Sequence, residues 1–387
     1  MKTARMRPSI VISAVVAALV GFGGTLALIV SAAQAAGASP AEISSGVLGI
    51  CLAVAATTAV LSVRYRLPII TAWTTPGAAL IGASHGLTPG TLVGALLLAG
   101  VLILITATVR PLGALVQRLP VPIAAAMLAG VLFRFVTSVF TAAGAKPLLV
   151  LPLIALFLVA RRLSAFGAVL IVLAAGVAYA FLLGEVKPLP DSLPLPQIVV
   201  IWPVFELQAL IGVGVPLYLV TMASQNLPGF AVLRVSNYEP PTAAILAVTG
   251  FASVITAPLG ALTSNLAAIT ASICTGPDTH PDPSKRWLAG PFYALSYILL
   301  AIGGASMVAL IAAMPAELIA TVAGLALIGS LVNAFGAMGD AALRFPAVIT
   351  LTVTASGMSL LGIGSAFWGL VAGIVALGAE HIRRPAA

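Results

Sequence analysis

From Pro8 to Glu380 the sequence is a succession of apolar runs parted by short polar connections. Most runs approach or reach the roughly 20 residues that a helix needs to cross a bilayer. A chain built this way has little choice of fold, and its expected class is an all-α polytopic membrane protein. Composition agrees. Only 7% of the 387 residues are charged and 61% are hydrophobic, whereas a soluble domain carries roughly 25% charged residues. So few charges cannot cover a surface in water. The net charge of +8 would suit a nucleic-acid partner, but the basic residues stand singly or in pairs between apolar runs, as cytoplasmic loop charges do. No nucleic acid is expected. Cys51 and Cys274 lie in or at the end of apolar runs without metal-type spacing and read as packing residues. Lys2, Arg5 and Arg7 followed by an apolar run and SAAQAAG mimic a signal peptide. The run extends from Pro8 to about Ala33, longer than a signal core of about 7–15 residues, and reads as an uncleaved first helix.

Fourteen segments are expected. The first seven lie near 8–33, 42–62, 67–83, 89–108, 120–141, 147–160 and 164–184. The second seven lie near 208–233, 241–257, 259–275, 287–312, 316–336, 344–357 and 359–380. Between the halves, Lys187–Pro203 contains KPLPDSLPLPQ and cannot be one regular helix, because proline lacks the N–H and clashes with the preceding turn. It reads as a linker or a surface-lying stretch. With the N-terminus inside, the cytoplasmic connections hold Lys2, Arg5, Arg7, Arg64, Arg66, Arg110, Arg118, Arg161, Arg162, Arg234, Lys285, Arg286, Arg344, Arg383 and Arg384, fifteen of the eighteen basic residues. That bias supports both count and orientation. Seven is odd, so the second half enters the membrane from the opposite side, the topology of an inverted repeat. Aligning Pro68 with Pro258, 190 positions apart, sets Thr74-Thr75 on Ser264-Asn265. Gly130 and Gly324, each ending a similar pentapeptide, are 194 apart.

Three stretches could carry chemistry. Leu219–Arg234 places Thr221, Ser224, Gln225 and Asn226 inside an apolar run, followed by Pro228-Gly229 as an expected helix break at mid-depth. Irregular backbone survives there only when buried in protein or lining a cavity. Trp73-Thr74-Thr75-Pro76-Gly77 sets polar residues before a proline suited to a helix start, and Thr263-Ser264-Asn265 are N-cap types ahead of Leu266 and an apolar run. Half-helices starting at mid-membrane would present free N–H groups and partial positive charge to an anion. Alternatively, these are ordinary hydroxyls bonding back to their own helices. Gly21-Phe22-Gly23-Gly24-Thr25 allows close approach of a ligand or of another helix.

The acidic residues are less promising. Glu317 is the best proton-coupling candidate, or else a solvated acid at a helix start. His85, His280 and His381 read as loop or tail residues. Arg134 could draw an anion to the outer mouth or snorkel to the interface. Asp278, His280 and Asp282 could bind a metal, or belong to a rigid proline-rich turn. No cofactor, resident metal or catalytic cluster is expected.

YLVTMASQNLP (Tyr218–Pro228), PLGALTSNLAAITAS (Pro258–Ser272) and CTGPDTHPDPSKR (Cys274–Arg286) resemble the benzoate:proton symporter family of bacterial inner membranes, over nearly the whole chain. More distantly the sequence is similar to the seven-plus-seven inverted-repeat fold of uracil permeases and sulfate/anion transporters. The resemblance implies a core domain (1–110 and 208–313), a gate domain (111–186 and 314–387) and a linker (187–207), with short extended pieces before half-helices in segments 3 and 10. It implies import of benzoate or a related aromatic carboxylate with a proton, both termini in the cytoplasm and, as one option, a homodimer in the bilayer. The expected substrate-binding residues are Phe22, Gly23, Gly24, Trp73, Thr74, Thr75, Pro76, Gly77, Ser224, Gln225, Asn226, Ser264, Asn265 and Leu266. Where the uracil permeases carry glutamates on segments 8 and 10, this chain has Ser224 and Ser264. The change suits an anionic substrate and removes the usual proton carrier. A carrier of another anion or a nucleobase, an anion channel, and a membrane enzyme are the rival readings.

Overall fold

The computed structural model describes residues 7–109, 120–163, 167–189, 194–361 and 363–383. Lys2, Arg5, Arg110, Arg118, Arg384, the start of segment 7 and residues 190–193 of the proline-rich stretch lie outside the described residues. The chain begins with α1 (Pro8–Gly23) and α2 (Leu26–Ala35), one 28-residue span stepped at Gly24-Thr25. α3 (Pro40–Tyr65) starts at a capping box between Ser39 and Glu42, which satisfies two N–H groups that a helix start leaves free. Then come β1 (Thr71–Trp73), α4 (Thr75–Gly82), α5 (Pro89–Thr108), α6 (Val121–Ala145), α7 (Pro147–Leu163) and α8 (Ala168–Leu182). The second half holds α9 (Leu207–Val235), α10 (Thr242–Thr256), β2 (Ser264–Leu266), α11 (Ile269–Thr275), α12 (Ala289–Ala313), α13 (Ala316–Ala337), α14 (Arg344–Ser356) and α15 (Ser365–Arg383).

Among the described residues, 8 helices are long and apolar enough to cross a membrane. α3 packs on α12, α5 on α10, and α1 on both α11 and α12. Separately, α6 packs on α13 and α14, and α14 on α15. Between the halves the chain is extended, held by Ile201 N–H to the Pro258 carbonyl (2.7 Å) and Val204 N–H to the Gly90 carbonyl (2.9 Å). Lys146 ties helix ends together, 2.6 Å from Glu185 and 3.5 Å from Glu317. The Glu185 hydrogen bond raises the Lys146 pKa above its ordinary value.

Close helix crossings fall on the two glycines singled out in sequence. A Cβ on Gly324 would stand 2.5 Å from the Phe135 carbonyl of α6, and one on Gly130 would stand 2.8 Å from the Leu351 carbonyl of α14. Backbone cannot swing aside as a side-chain tip can. Gly324→Ala is therefore expected to cost about 1–3 kcal/mol by overpacking, read as a lower apparent Tm in detergent.

Two local expectations change. Thr263-Ser264-Asn265 do not cap the second half-helix, because 264–266 form β2 and α11 begins at Ile269. Asn265 pairs with Ala72 of β1 across the ladder, which holds 264–266 extended and moves the helix start on to Ile269. Strand on strand, Thr71–Trp73 matches Ser264–Leu266 at an offset of 193 (71 to 264), so Thr74-Thr75 matches Ala267-Ala268. Nor does Pro228 break the helix. α9 continues through a π turn at Met222–Asn226, closed by Leu227 N–H to the Met222 carbonyl. Proline at 228 cannot donate to the carbonyl four residues back, and the widened turn takes up that loss.

Candidate functional site

β1 and β2 meet antiparallel deep in the molecule, with Thr71 opposite Leu266, Ala72 opposite Asn265 and Trp73 opposite Ser264. A two-stranded ladder leaves an outer edge on each strand, and in a membrane interior those edges need protein partners. The neighbouring helices supply them. On the β1 side, Thr58 accepts from the Thr71 N–H (3.0 Å), and the hydroxyls of Thr57 and Thr58 each lie 2.7 Å from that of Thr71. Tyr293 donates to the Thr71 carbonyl at 3.2 Å. On the β2 side, Ser253 of α10 accepts from Ser264 N–H at 2.8 Å and Asn226 of α9 accepts from Leu266 N–H at 2.9 Å.

β1 feeds α4 through Thr74, whose hydroxyl caps the Gly77 N–H at 3.1 Å. β2 feeds α11 through Ala267-Ala268 with no side-chain cap. Trp73 is held by its ring and its N–H. The ring stands 5.7 Å from both Phe22 and Tyr297, centroid to centroid. Its Nε1 donates to the Thr25 hydroxyl at 2.7 Å, and that hydroxyl in turn donates to the Gly21 carbonyl.

Two cavities of about 370 and 350 Å³ adjoin at this crossing. Gln225, Ala268, Ile269, Ser330 and Asn333 border both. The first reaches Val121 at the start of α6 and Ala337 at the end of α13. The second runs past Gly24, Thr25, Trp73 and Thr75 towards Phe157 and Arg161 on α7. Towards the other ends of α4 and α6 lies a cavity of about 60 Å³, lined by His85, Arg134 and Glu206 among others. Arg134 donates there to the Ala83 carbonyl at 3.5 Å.

The expected site residues divide accordingly. Gly24, Trp73, Thr75, Pro76, Ser224 and Gln225 line the cavities. Phe22, Gly23, Thr74, Gly77, Asn226, Ser264, Asn265 and Leu266 are buried in the wall behind them. Gly23 packs against Leu170 and Gly77 against Leu217. Ser264 Oγ and Asn265 Oδ1 are buried without a partner among the described residues. Glu317 borders neither cavity and faces Lys146 instead. His280 accepts from the Asp282 N–H, while Arg286 donates to the His280 and Thr275 carbonyls, so the proline-rich loop is tied to itself. Among the described residues no three His, Cys, Asp or Glu side chains are grouped to hold a metal.

Sequence reasoning missed Thr270, Ser330, Asn333 and Arg161 as cavity residues. Ser330 and Asn333 had a signal: two polar residues three apart in an apolar run share one helix face. Thr270 had none, being one hydroxyl among several. Of the described side chains lining the two cavities, only Arg161 carries a charge. The walls otherwise offer apolar surface, the Trp73 ring and neutral hydrogen-bonding groups, an arrangement that can hold a small, mostly apolar solute with one polar end.

Paired strands leading into half-helices, beside two adjoining solute-sized cavities, give a polytopic membrane protein the architecture of a transporter. Solved structures share the fold. The transmembrane domain of a cyanobacterial bicarbonate transporter, BicA, aligns with 97% of this chain and 98% of its own at TM-score 0.62 and 15% identity. SLC26A9 aligns with 96% of this chain and 65% of its own at TM-score 0.63 and 12% identity. The chain belongs to the benzoate membrane transport protein family, whose model matches residues 4–378. It is 36% identical over 370 residues to the benzoate membrane transport protein of Acinetobacter baylyi and 35% identical over 369 residues to the inner membrane protein YdcO of Escherichia coli. In both cases 95% of this chain and 94% of the relative are covered.

Proposed function

We propose that this protein is a secondary active transporter of the inner membrane that imports benzoate, or a related aromatic carboxylate, with a proton by alternating access. The observation that carries the reading is the pair of cavities adjoining at Gln225, in a chain of the benzoate membrane transport protein family. Gln225 makes no hydrogen bond to another described residue, and its amide faces the space where α13 brings Ser330 and Asn333. The carboxyl end of the substrate sits there, with Thr75 and Ser224 nearby, and the ring lies along Trp73 and the apolar wall.

The same reading takes the chain as fourteen crossings in two inverted halves of seven, with both termini cytoplasmic. The antiparallel pairing of 71–73 with 264–266 supports a pseudo-two-fold axis between the halves. Residues 1–110 and 208–313 form the core domain, and 111–186 and 314–387 form the gate, joined through 187–207. The packing of α3 and α5 on second-half helices, and of α6 on α13 and α14, supports that division. The larger cavities then open to the cytoplasm, and alternating access moves the core against α6 and α13. In proteoliposomes, labelled benzoate is expected to accumulate under an imposed inward proton gradient. Correctly folded protein giving no more uptake than empty vesicles would sink the reading.

A further inference from the structure

We propose that the transported proton travels on the substrate's own carboxyl group, so that the closed site holds a neutral aromatic acid. The inference rests on the benzoate–proton reading above and supplies its missing proton carrier.

Among the described residues no acidic side chain or histidine lines the two cavities, and the one charged group that does is Arg161. Glu42 is spent in the capping box with Ser39, and Glu185 and Glu317 face Lys146. Glu206 and His85 border the small cavity at the far end. Glu239, Asp278, His280, Asp282 and Asp340 lie in connections between helices, Glu380 and His381 near the C-terminus, and Asp191 outside the described residues. On the elements around the cavities the remaining protonatable side chains among the described residues do not line them. Tyr218 of α9 bonds the Thr106 hydroxyl, and Cys274 of α11 is buried. Tyr293 and Tyr297 of α12 lie behind Trp73 and Thr270, and Arg134 of α6 faces the Ala83 carbonyl. Among the described residues the polar side chains that border both cavities are neutral: Gln225, Ser330 and Asn333.

A carboxylic acid in water titrates near about 4. Burial away from water and from cations disfavours the charged form and raises that value by up to about 3–5 units, which carries it into the neutral range. The half-helix starts favour the anion, but they act against a larger desolvation effect. The neutral hydrogen-bonding groups suit an acid, which both donates and accepts. Arg161 stands on the second cavity, in the last turn of α7, the end that the transport reading places on the cytoplasmic side. There water and the guanidinium favour the carboxylate again. On the outer side one carboxylate takes one proton from water. On the inner side the acid O–H breaks, the proton returns to water and the carboxylate leaves with the electron pair. One proton and one anion have then crossed, with no net charge moved.

The test is calorimetric. Full-length protein in detergent is titrated with benzoate, and with a more acidic ring-substituted benzoate, in buffers of different ionisation enthalpy across a range of pH. About one proton is expected to be taken up per ligand bound, with a pH midpoint that moves with the acidity of the ligand. Glu317→Gln is expected to leave that uptake intact. A midpoint common to both ligands, or loss of the uptake in Glu317→Gln with benzoate still bound, would overturn the inference and assign the proton to the protein, and benzoate binding with no proton uptake would overturn it by showing that the anion itself is held. Absence of benzoate binding and of benzoate uptake would instead overturn the transport reading itself.

Discussion

Gln225→Ala is expected to weaken benzoate binding roughly 5- to 150-fold while leaving the apparent Tm close to wild type. Gln225 borders both cavities and bonds to no other described residue. Its removal therefore costs the fold little. The ligand, by contrast, loses a partner for a buried polar end, which costs about 1–3 kcal/mol, and each 1.4 kcal/mol is tenfold in affinity. Calorimetry gives the affinity, and a thermal melt gives the control. Wild-type affinity would remove Gln225 from the site. A lost fold would move it from the ligand to the scaffold.

Asn226→Ala, one residue along, is expected to give the opposite pattern. Asn226 is fully buried, and its Oδ1 accepts from the Leu266 N–H at 2.9 Å. Without it the outer edge of β2 holds an unsatisfied backbone donor, at about 1–3 kcal/mol, and the emptied volume adds to the cost. β2 positions Ala268 and Ile269, which border both cavities, so binding should fall as well. A marked drop in apparent Tm without ligand, with benzoate no longer shifting it, is the expected result. Unchanged stability would mean that the Leu266 N–H finds another acceptor. The two neighbours thus separate a ligand contact from a strand bracket in one π turn.

The contrast also marks how far the site was legible in sequence. Polar side chains in an apolar run announce a function because hydrocarbon penalises them whatever their role. That penalty does not say whether the partner is a solute or another backbone. Ser224, Gln225 and Asn226 look alike in sequence. In the structure, Ser224 donates to its own helix at the Val220 carbonyl, Gln225 faces the cavities and Asn226 holds β2. Ser264 and Asn265 looked like helix caps and lie in a strand, because the choice between cap and ladder depends on β1, 193 residues away (71 to 264).

The sequence by itself determined the environment, the helical class and the places where the chain is interrupted, because the bilayer imposes those demands locally, over some 20 residues at a time. Its motifs also pointed to the family. Only the tertiary structure decided which interruption faces a cavity, which glycines sit at crossings, and that Ser330 and Asn333 of a distant helix complete the cavity wall. Those outcomes are set by packing between segments far apart in the chain, where a partner for each buried N–H, hydroxyl or amide is chosen by proximity in space.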